Sequence, residues 1–372
     1  MHLLIALGVS FAALVSILLL TLLLSYNLTH LRLCRSRRRD VEATPAAEAE
    51  EEPAKSDSGG IRRYGWNEIE SLTGNFTAPV VGQGGFSIVY LASLEDPSSS
   101  SSLAAVKVHR SGGGERLHRC FRLELDLLRR LRHPHIVSLL GFCDSREEDG
   151  VLVLEYVPGG NLHQKLHGGG APLTWPARMR ILYEVAGAVE YLHNSSGEVP
   201  IVHGDLTAAN VLLDDRLSVK LCDFGSARVG FSAAVSRSAA GSAIGSPGYA
   251  DPHYLRTGVV SKNSDVYSFG VLVLETITGL PAVGSEEGKY LTAEMAPRLA
   301  EMGKGVGEVV DLKLGGEFDA GEVAEMAAVA ARCVGPQPSL RPSMGEIRGI
   351  MRERVRSVMS TVGEGSDGKG KS

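Results

Sequence analysis

Apolar and polar positions change their spacing several times along the chain. From Leu3 to Leu28 no residue is charged, and most positions are Leu, Ile, Val, Ala or Phe. About 20 helical residues cross a hydrocarbon core of about 30 Å, so the pattern predicts a transmembrane helix over 3–28. A signal-peptide apolar region is shorter, and no small-residue cleavage site follows this stretch. Short apolar runs at Ala104–Val108 and Val151–Glu155 predict buried strands, the first interrupted by Lys107. Leu117, Phe121, Leu128 and Leu131 form a helical stripe with Glu124 in its middle. After Pro176, a second stripe runs through Ile181, Leu182, Val185, Val189 and Leu192, and a third apolar helix spans Val266–Ile277.

Charge adds a direction to this order. Arg32, Arg35, Arg37, Arg38 and Arg39 follow the apolar stretch, and almost nothing positive precedes it. By the positive-inside rule the remainder then faces the cytosol, which predicts a single-pass protein at the plasma membrane. Residues 40–60 are rich in Glu, Ala, Pro and Ser and read as a flexible tether, as does the Gly-, Ser- and Lys-rich end. The net charge of −5 is too mild to argue for nucleic acid as a partner. Five scattered cysteines without a C-x-x-C pair argue against a disulfide framework or a zinc site.

Chemistry gathers at five places. Val80–Tyr90 reads as strand, glycine turn, strand, with Gly82, Gly84 and Gly85 allowing backbone N–H groups to approach phosphates. No helix follows, which excludes the Walker and dinucleotide fingerprints. Lys107 in an apolar strand and Glu124 in an apolar stripe each need a neutralising partner, and each supplies the other's. His203-Gly204-Asp205-Leu206-Thr207-Ala208-Ala209-Asn210 is followed by Asp223-Phe224-Gly225. The intervening hairpin brings the oxygens of Asn210 and Asp223 together, a donor set that suits magnesium. Gly245–His253 and Leu340–Met344 are the remaining two.

In this order the motifs resemble the protein kinase superfamily. Asn75-Phe76 and Leu139–Cys143 are similar to the plant receptor-like serine/threonine branch, in a form lacking an ectodomain. The resemblance implies an α+β, bilobal fold, with a small β-rich N-lobe carrying one long helix and a larger helical C-lobe, preceded here by the transmembrane helix. The implied domains are a membrane span at 3–28, a juxtamembrane linker at 29–60, a kinase domain at 76–353 and a tail at 354–372. Within the kinase domain the N-lobe is 76–154, the hinge 155–160 and the C-lobe 161–353. ATP and Mg2+ are the implied cofactors. ATP contacts fall on Val81, Gly82, Gln83, Gly84, Gly85, Phe86, Val89, Ala105, Lys107, Glu155 and Val157. Asp205 orients the substrate hydroxyl, Lys107 and Glu124 support the phosphates, and Asn210 and Asp223 hold metal. Ser246 belongs to the substrate loop, while His203, Asp265 and Arg341 are architectural. Protein substrates and ligand-sensing receptor kinases in the same membrane are the implied partners.

Three departures from the family pattern bear on rate. Gly204 stands where most kinases have an arginine that pairs with a phosphorylated activation loop (the non-RD class), so phosphate on Ser232, Ser236, Ser238 or Ser242 has no such partner. Thr207 replaces a lysine that contacts the γ-phosphate, which predicts slow catalysis. His253 replaces a glutamate that pairs with the arginine matched by Arg341, so that corner must be held differently. Ala209 lacks the arginine of tyrosine kinases, which favours Ser/Thr substrates. The alternative is a nucleotide-binding pseudokinase scaffold that regulates partner receptor kinases.

Overall fold

The computed structural model describes residues 60–85, 87–94, 102–109, 115–145, 150–194, 199–230, 232–234, 245–285, 288–300 and 310–358. The small lobe is built on a six-stranded sheet ordered β1-β5-β6-β4-β3-β2. Its strands are β1 (Arg62–Arg63), β2 (Val80–Gln83), β3 (Ser87–Leu94), β4 (Ser102–His109), β5 (Leu139–Cys143) and β6 (Gly150–Glu155). The β1–β5 pair is parallel, and the other pairs are antiparallel.

Each face of this sheet has its own cover. Helix α1 (Trp66–Leu72) lays Trp66 and Ile69 on one face, against Tyr90, Val106 and Val153. Residues 61–75, outside both the predicted linker and the predicted kinase domain, are therefore folded onto the small lobe. Helix α2 (Glu115–Leu128) covers the other face, and its buried side holds Phe121, Glu124, Leu125 and Leu128. Alternation along β4 points Lys107 and His109 to the α2 side and Val106 and Val108 to the α1 side.

The large lobe is helical. In chain order it contains α3 (Leu162–His167), α4 (Trp175–Asn194), β7 (Ile201–Val202), β8 (Val211–Leu213), β9 (Val219–Leu221), β10 (Arg228–Val229) and β11 (Ser232–Ala234). These are followed by α5 (Pro252–Thr257), β12 (Val259–Ser261), α6 (Lys262–Thr278), α7 (Leu291–Ala300), α8 (Ala320–Cys333) and α9 (Met344–Arg354). Every residue of α6 from Asp265 to Thr278 is buried. It packs on α4 and α8, so the third apolar run of the sequence is the centre of this lobe. Gly279, with φ +65°, ends α6 in the left-handed conformation. A capping box between Ser343 and Glu346 starts α9. Val355 and Val358 are fully buried, so the folded chain extends into the predicted tail.

The expected two-lobed α+β arrangement is present, but the rest of the fold-class expectation is corrected. Among the described residues no helix is long and apolar enough to cross a membrane. The longest, α4, carries Arg178, Arg180, Glu184 and Glu190. The predicted span at 3–28 lies outside the described residues, as does the linker up to residue 59. A transmembrane helix is accordingly removed from the fold class, and the single-pass plasma-membrane location is withdrawn with it.

The corner around Arg341 shows how a missing partner is replaced. Its guanidinium donates to both carboxylate oxygens of Asp251 at 2.8 and 3.0 Å, and to the carbonyls of Asn263 and Gly335. Both side chains of the pair are buried. Asp251 also caps α5 by accepting from the His253 N–H at 2.9 Å. The acidic partner has thus moved two positions upstream, and His253 has no part in the bridge. Removing one member of a buried pair costs about 3–5 kcal/mol. Asp251→Ala should lower the free energy of unfolding in urea by that amount, and Asp251→Asn by less than the alanine because it retains the cap.

Candidate active site

Lys107 reaches into the interlobe cleft from β4. Its ammonium donates to both oxygens of Glu124 at 2.8 and 2.9 Å and to Asp223 Oδ1 at 3.0 Å. Glu124 is fully buried and Lys107 nearly so. Glu124 also accepts from the Phe224 N–H at 3.3 Å, which ties α2 to the turn after Asp223. Burial alone would push the Lys107 ammonium down. The Glu124 and Asp223 carboxylates outweigh it, and the group lies above the usual lysine range. The same ammonium holds the Asp223 carboxyl at about 2.

Below the cleft, β8 and β9 form the hairpin that returns Asp223 towards Asn210. Asp223 adopts φ +64°, so its side chain turns into the cleft while Phe224 is fully buried. The Asn210 amide nitrogen donates to the Asp205 carbonyl at 2.8 Å, which leaves its amide oxygen for other partners. Asp205 Oδ1 accepts from both the N–H and the hydroxyl of Ser246, at 2.8 and 2.9 Å. Among the described residues its Oδ2 has only a 3.4 Å contact with the Asn210 amide.

Asp265 supports this loop from beneath. One oxygen accepts from the His203 N–H at 2.8 Å and from His193 Nε2 at 2.8 Å, the other from the Gly204 N–H at 2.9 Å. The His203 ring lies 5.0 Å from that of Phe224. Thr207 turns inward, buried, and its hydroxyl accepts from the Asn210 N–H at 3.3 Å. Gly204 has φ +78°, and a Cβ there would meet the Ser226 carbonyl at 2.6 Å. The sequence reveals only a missing arginine, but the backbone itself demands glycine at this position.

A cleft of about 320 Å³ joins Lys107, Glu124, Asn210 and Asp223, and Asp205 lies outside its lining. Val81, Gly82, Gln83, Gly84, Val89, Ala105, Lys107, Glu155 and Val157 line it as the motif pattern anticipates, together with Asn210 and Asp223. Gly85 sits outside the lining, and Phe86 lies outside the described residues. Val137, Leu154, Leu212 and Cys222 line it as well. An apolar slot ending in one ammonium, two carboxylates and one amide oxygen fits a purine nucleotide with a hard divalent cation.

A family model for protein tyrosine and serine/threonine kinases matches residues 77–351. The chain belongs to the protein kinase superfamily. Its relatives place it in the plant receptor-like branch of that superfamily. The salt tolerance receptor-like cytoplasmic kinase 1 of Oryza sativa subsp. japonica is 51% identical over 337 residues, spanning 88% of this chain and 91% of that protein. A probable receptor-like protein kinase of Arabidopsis thaliana is 41% identical, over 83% of this chain and 92% of its own length. A probable LRR receptor-like serine/threonine-protein kinase of the same plant is 37% identical over 78% of this chain but only 32% of itself. The kinase is therefore an ATP-dependent protein serine/threonine kinase. The first of these relatives is named a cytoplasmic kinase, a second observation against the single-pass location expected from residues 3–28. Of the activation-loop serines, Ser236, Ser238 and Ser242 lie outside the described residues.

One buried group of this kinase was not singled out in the sequence. His109 stands two residues after Lys107, packed on Phe121 with ring centroids 5.6 Å apart. Among the described residues its Nε2 has no hydrogen-bond partner, and it lies 3.5 Å from Glu124. Burial, followed by the charge on Lys107, pushes this imidazole down to about 3. Between about pH 6.5 and 3 the unfolded chain binds a proton that the folded chain refuses. The contribution to stability is complete above pH 6.5 and declines as the pH falls, by up to about 1.4 kcal/mol per unit. His109→Phe should flatten the dependence of unfolding free energy on pH between 6.5 and 5, as measured by urea titration at each pH.

Proposed function

We propose that this kinase transfers the γ-phosphate of ATP to serine or threonine hydroxyls of protein substrates at a low intrinsic rate. Lys107 supports the reading most directly. Its ammonium spans Glu124 on the small lobe and Asp223 on the large lobe, the assembled form of the site. In this form Lys107 faces the α- and β-phosphates, and the N–H groups around Gly82 and Gly84 cover the triphosphate. Glu155 and Val157 offer hinge backbone to the adenine. Asn210 and Asp223 would hold magnesium, which when bound neutralises phosphate charge and orients the triphosphate. Asp205 is the group that accepts the hydroxyl hydrogen, through the Oδ2 that Ser246 leaves free. His203, Asp265 and Arg341 hold backbone and neighbouring segments in place without touching substrate.

The low rate follows from what stands at the phosphate end. Thr207, where the family has a second lysine, offers no charge. A preorganised donor of this sort is worth on the order of 10²–10³ in rate. Receptor kinases of the kind named among the relatives are the partner class that the branch favours.

With magnesium and ATP the purified chain should label itself on serine or threonine, as read by mass-spectrometric mapping. Lys107→Met and Asp223→Asn should each abolish labelling. Normal nucleotide affinity without any phosphate transfer would replace this reading with that of a scaffold. Thr207→Lys should raise kcat, by up to on the order of 10²-fold, while the loss of its bond to the Asn210 N–H costs about 1 kcal/mol of stability. An unchanged kcat at saturating ATP would refute this account of the low rate.

A further inference from the structure

Outside the cleft, α3 and α6 bring together three side chains that the kinase reaction does not use. His163 and His167 lie four residues apart on one face of α3, and Glu275 faces them from α6. His167 Nε2 is 2.8 Å from Glu275 Oε1, and His163 Nδ1 is 3.7 Å from the same oxygen. One ligand atom from each residue falls within 4.8 Å of the others. We infer that His163, His167 and Glu275 form a binding site for a divalent transition-metal ion of the zinc class.

Three observations carry this assignment beyond a single histidine–carboxylate hydrogen bond. First, Glu275 is fully buried, and among the described residues its ion-pair partners are these two imidazoles. A buried carboxylate needs a cation, and a neutral imidazole supplies none. Second, the two rings have centroids 4.6 Å apart. Both rings thus present a nitrogen to the same carboxylate oxygen, and one ion between them can take a lone pair from each. Third, the other Glu275 oxygen accepts from the hydroxyl of Tyr249, the type of outer partner that orients a ligating carboxylate.

The donor set decides the class of ion. Two imidazole nitrogens and one carboxylate oxygen suit zinc or its first-row neighbours and not magnesium, which prefers oxygen alone. Ligand bonds of about 2.0–2.1 Å in tetrahedral geometry put donors roughly 3.3 Å apart, and 2.8 and 3.7 Å bracket that spacing. His163 is 50% exposed, so ions enter from solvent and a water completes the shell. The site also reaches the substrate loop, because the Tyr249 hydroxyl contacts the Ala208 N–H of the catalytic loop. This inference does not depend on the rate of phosphate transfer.

The test is a titration of the chelator-stripped full chain with zinc chloride, followed by calorimetry and thermal unfolding, with cobalt as a spectroscopic probe. One equivalent should bind, Tm should rise by roughly 5 °C at a hundredfold excess over Kd, and cobalt should give tetrahedral visible absorption. His163→Ala, at an exposed position, should keep the metal-free Tm and weaken binding at least tenfold. His167→Ala should also weaken binding at least tenfold, with a lower metal-free Tm because Glu275 loses its 2.8 Å partner. No saturable binding, or binding that His163→Ala leaves unchanged, would overturn the assignment.

Discussion

A single ammonium, that of Lys107, is the point on which the two lobes agree. It lies where apolar β4 would otherwise admit no charge, and it is tolerated because Glu124 and Asp223 neutralise it from opposite sides. A cation and a carboxylate taken out of water are stable only when each satisfies the other. The consequence is mutual dependence. Without α2 seated on the sheet, Lys107 loses Glu124; without the Asp223 turn closed over Phe224, it loses the second carboxylate. Alignment of the lobes is thus coupled to the position of one side chain, and the Phe224 N–H bonded to Glu124 extends that coupling into the large-lobe core.

A second anchor is spatially separate. Asp265, buried at the start of α6, collects the backbone N–H groups of His203 and Gly204 and the His193 ring. Asp205 then projects from a loop whose main chain is held at two consecutive residues. Its carboxylate is fixed from above by Ser246, so that one oxygen is committed and the other is left open. Rigid backbone below and a hydroxyl above together define where a reacting oxygen can stand.

Much of this was legible in the residues, because a charged side chain in an apolar run is conspicuous. Lys107 and Glu124 stood out in that way, and Asn210 and Asp223 through a hairpin of fixed length. Other parts carry no such signature. Val137, Leu212 and Cys222 line the cleft, yet an apolar residue on a cleft wall looks like any core residue. The short helix Trp66–Leu72 has too few turns to display a period. The shift of Arg341's partner from position 253 to Asp251 depends on how α5 is capped, a three-dimensional fact. The apolar stretch 3–28 satisfied every rule for a spanning helix, and no spanning helix exists among the described residues. Hydropathy registers how long and how greasy a segment is, and for this chain that inference has been set aside.

The left-handed turn at Gly204 bears on how this family branch can diverge. An arginine installed there would collide with the Ser226 carbonyl and force its own backbone into a region that residues bearing a Cβ avoid. Control by loop phosphate therefore asks for more than one new side chain. The segment at Ser226 has to give way as well, so the strain of acquiring that arginine falls on two stretches of main chain.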